Sequence, residues 1–365
     1  MKRIICCIFI TMLLFFVSVP LTSFAEYAYE EENEISSQVD ELFSEHDTGF
    51  LYDDIMGLSF SEAAAMVMDK LSGDITAPIR LLTSILAVII FTAVMQSVGE
   101  SFFDKGRAGG MYDLICVTAA AAVIVPQLVS VYEGALSAIE KTGSFLLVFV
   151  PMFSGITVAA GGIASGSLYN MMILAASELI VKLSDSFLVP VLSITAVFAI
   201  SGSIFPNASV NGIAELLKKT ATWGLTIAMT LFTGFVTLKC SLTSKADGAA
   251  SKTAKFVISG FVPVVGGAVS EAYSTVRSGL EVIRCTVGVG GSIAIVMFML
   301  PPIMKIMAFR LVLWIGTAAA DLFSAESLSK LMKGLEGGLA IAESVLICYS
   351  LMFILCTAIL MQSFG

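Results

Sequence analysis

The chain has 365 residues, of which 57% are hydrophobic and 13% are charged, with a mean hydropathy of +0.93. Soluble domains carry about 25% charged residues, so this composition excludes an ordinary water-soluble protein. The formal net charge of −9, without a basic stripe and interleaved aromatic residues, argues against nucleic-acid binding. Apolar runs of about 20 residues recur along the chain, which predicts an all-α, polytopic integral membrane protein rather than a β-barrel.

The start of the chain has the pattern of a signal peptide. Lys2 and Arg3 form a positive beginning, and an apolar stretch follows through Val17. Small residues, Ser23 and Ala25, then stand at the spacing of a cleavage site. We therefore predict a cleaved signal peptide over residues 1–25, with an uncleaved membrane anchor as the alternative. In both cases the next part of the chain is exported.

An acidic extracytoplasmic segment is predicted over residues 26–77. It holds fourteen acidic side chains and one basic side chain, Lys70. Ser59 and Glu62 fit a capping box, which predicts a short amphipathic helix after them. The segment is too small for a hydrophobic core of its own. We expect its helices to lie on the membrane body or the bilayer surface; a docking surface for a basic partner is the alternative.

Residues 78–365 form the predicted polytopic transmembrane domain, with about seven transmembrane helices plus re-entrant or broken segments. The pattern Phe-Val-Pro-x-x-x-Gly occurs at 149–155 and again at 261–267. Proline removes a backbone donor and disfavours a helical residue before it, so both stretches predict interrupted helices. Irregular backbone at membrane depth survives only when it is buried in protein or lines a cavity. The stretches supply five pore or gate candidates: Pro151, Gly155, Pro263, Gly266 and Gly267.

Ionisable side chains within the apolar runs are further candidates, because such groups usually face a cavity or a partner. Glu271 follows the second proline stretch directly and is the leading pore or gate candidate, with an interfacial acid in water as the alternative. Glu178 is another, although Lys182 stands four residues later and would neutralise it on a helix. Lys305 and Arg310 flank an expected tight connection between two helices, where their charged ends would reach water.

The positive-inside rule orients the body. Four lysines cluster in a predicted polar loop that we expect in the cytoplasm: Lys239, Lys245, Lys252 and Lys255. An exported N-terminal segment agrees with this placement if one apolar segment between 143 and 205 is re-entrant or interfacial.

The sequence predicts no enzyme, no cofactor and no metal site. His46 is the one histidine, so metal sites and histidine-based catalytic groups lack their parts. Neither a P-loop nor a GxSxG or HExxH motif occurs. The glycines near the apolar runs, among them Gly155, Gly166, Gly288 and Gly291, indicate close helix packing. The cysteines of the body are scattered and are interpreted as small hydrophobic residues.

The order of these segments resembles a known family. A signal peptide and a short acidic exported segment precede a polytopic body with the stretches 149–155 and 161–167. The lysine-rich region at 239–255 follows, and then the run FVPVVGGAVSEA at 261–272, which is the most specific part. Nearly the whole chain is similar to the stage III sporulation protein AE family of endospore-forming bacteria.

This resemblance implies a membrane component of a secretion-like channel between mother cell and forespore, needed for forespore development. It also implies a place in the mother-cell membrane around the forespore, with the N-terminal segment in the intermembrane space. The implied partners are other stage III A sporulation proteins, including ring-forming components and a separate cytoplasmic ATPase, together with the lipid bilayer. No catalytic residues transfer from the family.

Two other functions remain open from the sequence. A self-sufficient secondary transporter would explain the repeated proline pattern as an internal repeat, with Glu271 in its transport site. A non-conducting membrane scaffold for partner proteins would need neither feature.

Overall fold

The computed structural model describes residues 76–102, 109–204, 210–261 and 266–362. These residues form helices and contain no strand, so the all-α prediction is confirmed. The predicted signal peptide, the acidic segment, His46 and Pro263 lie outside the described residues. The helices are α1 (Thr76–Phe102), α2 (Gly109–Ala159), α3 (Ile163–Ile204), α4 (Val210–Phe261), α5 (Gly266–Leu322) and α6 (Glu326–Gln362).

All six described helices are long and apolar enough to cross a membrane, where the sequence suggested about seven spans. The difference arises because pairs of apolar runs that we expected to be separate are joined in single helices. The runs 112–131 and 143–163 fall largely within α2, and 287–303 and 306–323 largely within α5. At 1.5 Å per residue, the 57 residues of α5 extend about 85 Å, against about 30 Å of bilayer hydrocarbon.

The interruption expected at Pro151 lies further along the chain. Helix α2 continues through Pro126 and Pro151 and ends at Ala159. Pro151 is exposed, so its ring lies on the outer surface of the helix. Neighbouring helices and local adjustments make proline tolerable in membrane helices, which explains the continuity. The turn comes instead at Gly161, whose φ of 92° suits glycine.

Two connections predicted from charged residues are helical instead. The lysine-rich region, expected to be a polar loop, is the second half of α4. Alanines 246, 249, 250 and 254 separate its lysines, and both residue types favour helices. The tight connection expected between Lys305 and Arg310 is also absent, because α5 continues through Pro301 and Pro302. In the second proline stretch, Phe261 ends α4 and Gly266 begins α5, and residues 262–265 lie outside the described residues.

Stacked aromatic rings fill the centre of the bundle. Phe145, Phe149 and Phe153 follow one another at four-residue intervals on α2, with ring centroids 5.3 and 5.6 Å apart. All three are almost completely buried. Phe353 of α6 meets Phe149 edge-on at 5.9 Å, and Tyr169 of α3 meets Phe153 at 5.2 Å. The stack therefore joins three helices through one continuous aromatic core.

Glycines let α5 approach this stack, as the sequence predicted. A Cβ atom at Gly291 would lie 2.1 Å from Cζ of Phe149, and one at Gly288 would lie 3.0 Å from Cζ of Phe153. On α6, a Cβ at Gly334 would lie 2.6 Å from that of Ala199 on α3. Gly155 differs, because nothing lies within 4 Å of its added Cβ. Close packing therefore accounts for Gly288 and Gly291 but not for Gly155.

Substitution of Gly291 by alanine should destabilise the bundle by about 1–3 kcal/mol, because the methyl group overlaps the Phe149 ring. Gly279→Ala on the same helix is the matched control, since nothing lies within 4 Å of its Cβ position. Thermal unfolding of both variants in detergent, followed by circular dichroism, measures the difference. Equal melting temperatures for the two variants would contradict the close contact.

Candidate functional site

The pore or gate candidates from the sequence lie in different helices. Pro151 and Gly155 are both exposed, one turn apart on α2. Gly266 and Gly267 open α5, and Glu271 is exposed in its second turn. Exposure of the Glu271 carboxylate fits the alternative of an interfacial acid in water as well as it fits a gate.

Glu178 forms an ion pair within its own helix. Its Oε1 lies 2.6 Å from Nζ of Lys182, and the two side chains are 66% and 73% exposed. The local neutralisation anticipated from their four-residue spacing is therefore present on α3. An exposed pair of this kind contributes little to stability.

A buried ion cluster joins α5 to α6. Arg310 donates from Nε to Oε1 of Glu336 at 3.0 Å, and its Nη1 donates to Oε2 of Glu343. The carboxylate side chains are 13% and 9% exposed. Glu336 and Glu343 are seven residues apart, two helical turns, so both present their carboxylates to the same face of α6. One guanidinium thus serves two carboxylates.

The two carboxylates hold Arg310, whose side chain is 27% exposed, at the interface of α5 and α6. Charges at membrane depth are costly unless they are paired. Removing one member of a buried pair leaves an uncompensated charge, which is more costly than the pair itself. Sequence reasoning named Arg310 and missed Glu336. The seven-residue spacing of the two glutamates was the available signal.

A tight hairpin positions the cluster. Between α5 and α6, Ser324 adopts a left-handed φ of 58°, and the Ala325 amide donates to the Ala320 carbonyl oxygen at 2.9 Å. This pattern ends a helix and satisfies its last carbonyl groups. Two turns into α6, Lys333 donates to Oδ2 of Asp321 at 3.4 Å. The hairpin fixes the register in which Arg310 meets its carboxylates.

A second charged arrangement surrounds the turn between α2 and α3. The amides of Ala164 and Ser165, at the start of α3, donate to the two carboxylate oxygens of Asp247 on α4, each at 2.9 Å. Asp247 is 4% exposed. A Cβ at Gly161 would lie 3.6 Å from Nε of Arg277 on α5, at the C-terminal end of α2. An anion at a helix N-terminus and a cation at a helix C-terminus both interact favourably with the helix dipole.

Comparison with known proteins gives the family. The sequence profile of stage III sporulation protein AE matches residues 47–363. The chain belongs to the stage III sporulation protein AE family. Stage III sporulation protein AE of Bacillus subtilis (strain 168) is 24% identical over 292 residues, which cover 78% of this chain and 72% of the relative. No solved structure matches the chain.

Because the chain belongs to the stage III sporulation protein AE family, it is a sporulation protein. Its described helices are long and apolar enough to span a membrane. The family's name describes no enzymatic activity. Among the described side chains, Arg310 forms ion pairs with Glu336 and Glu343 at the interface of α5 and α6. The Arg310–Glu336–Glu343 cluster is therefore the candidate functional site of this member.

Gly161→Ala should destabilise the protein by about 1–2 kcal/mol, because an alanine side chain is strained at positive φ. Gly155→Ala is the control: the position is open and helical, so alanine should be neutral or stabilising by up to about 1 kcal/mol. Melting temperatures of the two variants in one detergent should move in opposite directions. A lower melting temperature for Gly155→Ala would contradict the open, helical environment.

Arg310→Leu should lower the free energy of unfolding by about 3–5 kcal/mol, since it leaves two buried carboxylates without their guanidinium. Lys182→Gln, which breaks the exposed pair on α3, should cost less than about 1 kcal/mol. Denaturant titration in mixed micelles compares the two variants. Similar losses for both would mean that the Arg310 cluster is as hydrated as the surface pair.

Proposed function

We propose that the chain is a membrane subunit of a sporulation-specific channel or secretion-like complex that links mother cell and forespore and supports forespore development. Membership in the stage III sporulation protein AE family carries this proposal. The helices of membrane-spanning length support it, because such a body suits a component embedded in a larger assembly. The protein would lie in the mother-cell membrane around the forespore, with its acidic segment in the intermembrane space.

The packing of the bundle favours a subunit over a complete channel. The aromatic stack around Phe149, closed on one side by Gly291, occupies the centre where α2, α5 and α6 meet. Side chains at native packing density leave no room for a passage through that level. We therefore place the passage between this chain and its partners, or between copies of it. Ring-forming stage III A proteins are the proposed partners in the intermembrane space.

A separate cytoplasmic ATPase is the proposed source of energy for the complex. The chain contains no P-loop, so energy from nucleotide hydrolysis would have to come from another protein. This division of labour is consistent with the membrane-length helices that the described residues form.

One observation favours a second function, a secondary transporter. Arg310, Glu336 and Glu343 form an ion cluster between two helices of membrane-spanning length, and groups of this kind take part in ion pathways. A transporter of this type would couple ion movement at Glu336 or Glu343 to solute movement.

Isolation of the full-length protein from sporulating cells in mild detergent tests the proposal. The other stage III A proteins should copurify with it, while an unrelated polytopic protein carrying the same tag should not bring them down. A folded protein that is recovered alone would contradict the subunit proposal. Ion-driven solute uptake by the purified chain in liposomes would instead establish the transporter.

A charge-free variant separates structural from functional roles of the cluster. Arg310→Met combined with Glu336→Leu and Glu343→Leu removes all three charges, and such replacement of buried ion groups is often neutral for stability. We expect this variant to fold and to copurify with its partners, yet to reduce spore formation. Normal sporulation would assign the cluster to stability alone and would favour a non-conducting scaffold.

A further inference from the structure

Helix α4 is the least enclosed of the membrane-length helices. Only 11% of its candidate span Thr222–Val257 is buried, compared with 28–50% in the others. Beside it lies an open groove of about 630 Å³, lined on α4 mainly by Thr230, Thr233, Gly234 and Thr237 and on α6 by Leu355. The groove is therefore part of the bundle's outer surface.

The threonines of the groove behave as apolar groups. Thr230 donates its hydroxyl to the carbonyl oxygen of Thr226, and Thr237 donates to that of Thr233, each at 2.8 Å. With their hydroxyl protons used inside the helix, these residues present mainly methyl groups and suit a hydrocarbon occupant. Gly234 adds depth, because nothing lies within 4 Å of its Cβ position.

Lysines continue the same face of α4 beyond the groove. Lys245 follows Leu238, the last groove residue on α4, by seven positions, and Lys252 follows Lys245 by seven. Two helical turns separate residues seven apart, so both lysines lie in line with the groove. Both are exposed. Lys239 lies on the opposite face, with its Nζ 5.6 Å from the ring centroid of Phe235.

Lysines outnumber acidic residues along this part of α4. Between Lys239 and the end of α4 the sequence holds four lysines and one acidic residue, Asp247. Asp247 is buried and bound to the start of α3, so it does not screen the lysines from outside. The surface beyond the groove therefore attracts anions.

We propose that this surface binds an anionic phospholipid, with an acyl chain in the groove and the phosphate at Lys245 and Lys252. Gly234, in the middle of the groove, and Lys245 are eleven residues or about 16 Å apart, close to the thickness of one hydrocarbon leaflet. Exposed Leu242 and Phe256 alternate with the lysines, as in segments at the membrane interface. Lipid binding here is independent of any channel activity.

A basic surface at the membrane edge also attracts soluble anions and acidic proteins, but neither would fill the groove. An anionic phospholipid uses both features at once. Its acyl chain lies in the apolar groove, and its phosphate meets the lysines in line with it. The choice between lipid and soluble phosphate therefore depends on whether the groove contributes to binding.

The test uses the full-length protein in a non-ionic detergent, with bound lipid counted by native mass spectrometry. Phosphatidylglycerol and phosphatidylcholine with identical acyl chains are titrated separately. We expect tighter binding of phosphatidylglycerol, and a loss of about 25-fold in its affinity for the Lys245→Gln/Lys252→Gln variant, or about five-fold for each lysine. Lys239→Gln, the matched control on the opposite face, should change affinity less than about two-fold.

Two further measurements identify the occupant. Gly234→Leu, whose Cβ has nothing within 4 Å, places a bulky side chain in the groove and should weaken both lipids. Soluble glycerol phosphate should not compete with phosphatidylglycerol. Equal affinity for the two lipids, equal losses for the Lys239 and Lys245/Lys252 variants, or full competition by glycerol phosphate would each overturn the proposal. Melting temperatures establish that the variants remain folded.

Discussion

The contact between the Phe149 ring and the backbone of Gly291 sets the spacing of the whole helix bundle. Inside a bilayer, apolar surface gains little by leaving lipid for protein, so helix association depends on tight packing and on hydrogen bonds. The ring on α2 can approach α5 this closely only because the facing residue has no side chain. The stack that starts there continues to Phe353 on α6 and, through Phe153, to Tyr169 on α3. A change in this spacing would therefore move three neighbouring helices.

Polar contacts between helices add to the close packing of the aromatic rings. Asp247 joins α4 to the start of α3, and Arg310 joins the C-terminal part of α5 to α6. Tyr349 and Ser177 share a hydrogen bond of 2.6 Å between α6 and α3. Each of these contacts links two different helices, and each satisfies a group that would be costly in hydrocarbon. The described bundle thus combines an aromatic centre with a few specific polar connections.

Composition and apolar run length were sufficient to predict the membrane class and the helical fold, because hydrocarbon admits few backbone structures. Glycine packing at Gly288 and Gly291 was also predictable, and the ion pair of Glu178 with Lys182 followed from spacing. The helix boundaries were harder. Proline rules predicted a break at Pro151, but the fold tolerates that residue on an exposed surface and turns at Gly161 instead.

The ion cluster shows a second limit of sequence reasoning. Arg310 and Glu336 are 26 residues apart and on opposite sides of a hairpin, so their contact depends on the register set at Ser324. Local spacing identifies partners within one helix, as with Glu178, but not across two. The function of Glu271 and of the glycines that open α5 was likewise beyond what spacing alone determines.

The exposed ion pair on α3 gives one part of the outer surface a polar character. Glu178 and Lys182 are more than half exposed at the end of the candidate span Ile163–Lys182, where their charged ends can reach water. The groove side of α4, in contrast, presents methyl groups and open apolar surface. The described helices therefore do not present the same surface to lipid on every side. One side is polar and another is apolar, and any assembly built from this protein would have to accommodate that asymmetry in the plane of the membrane.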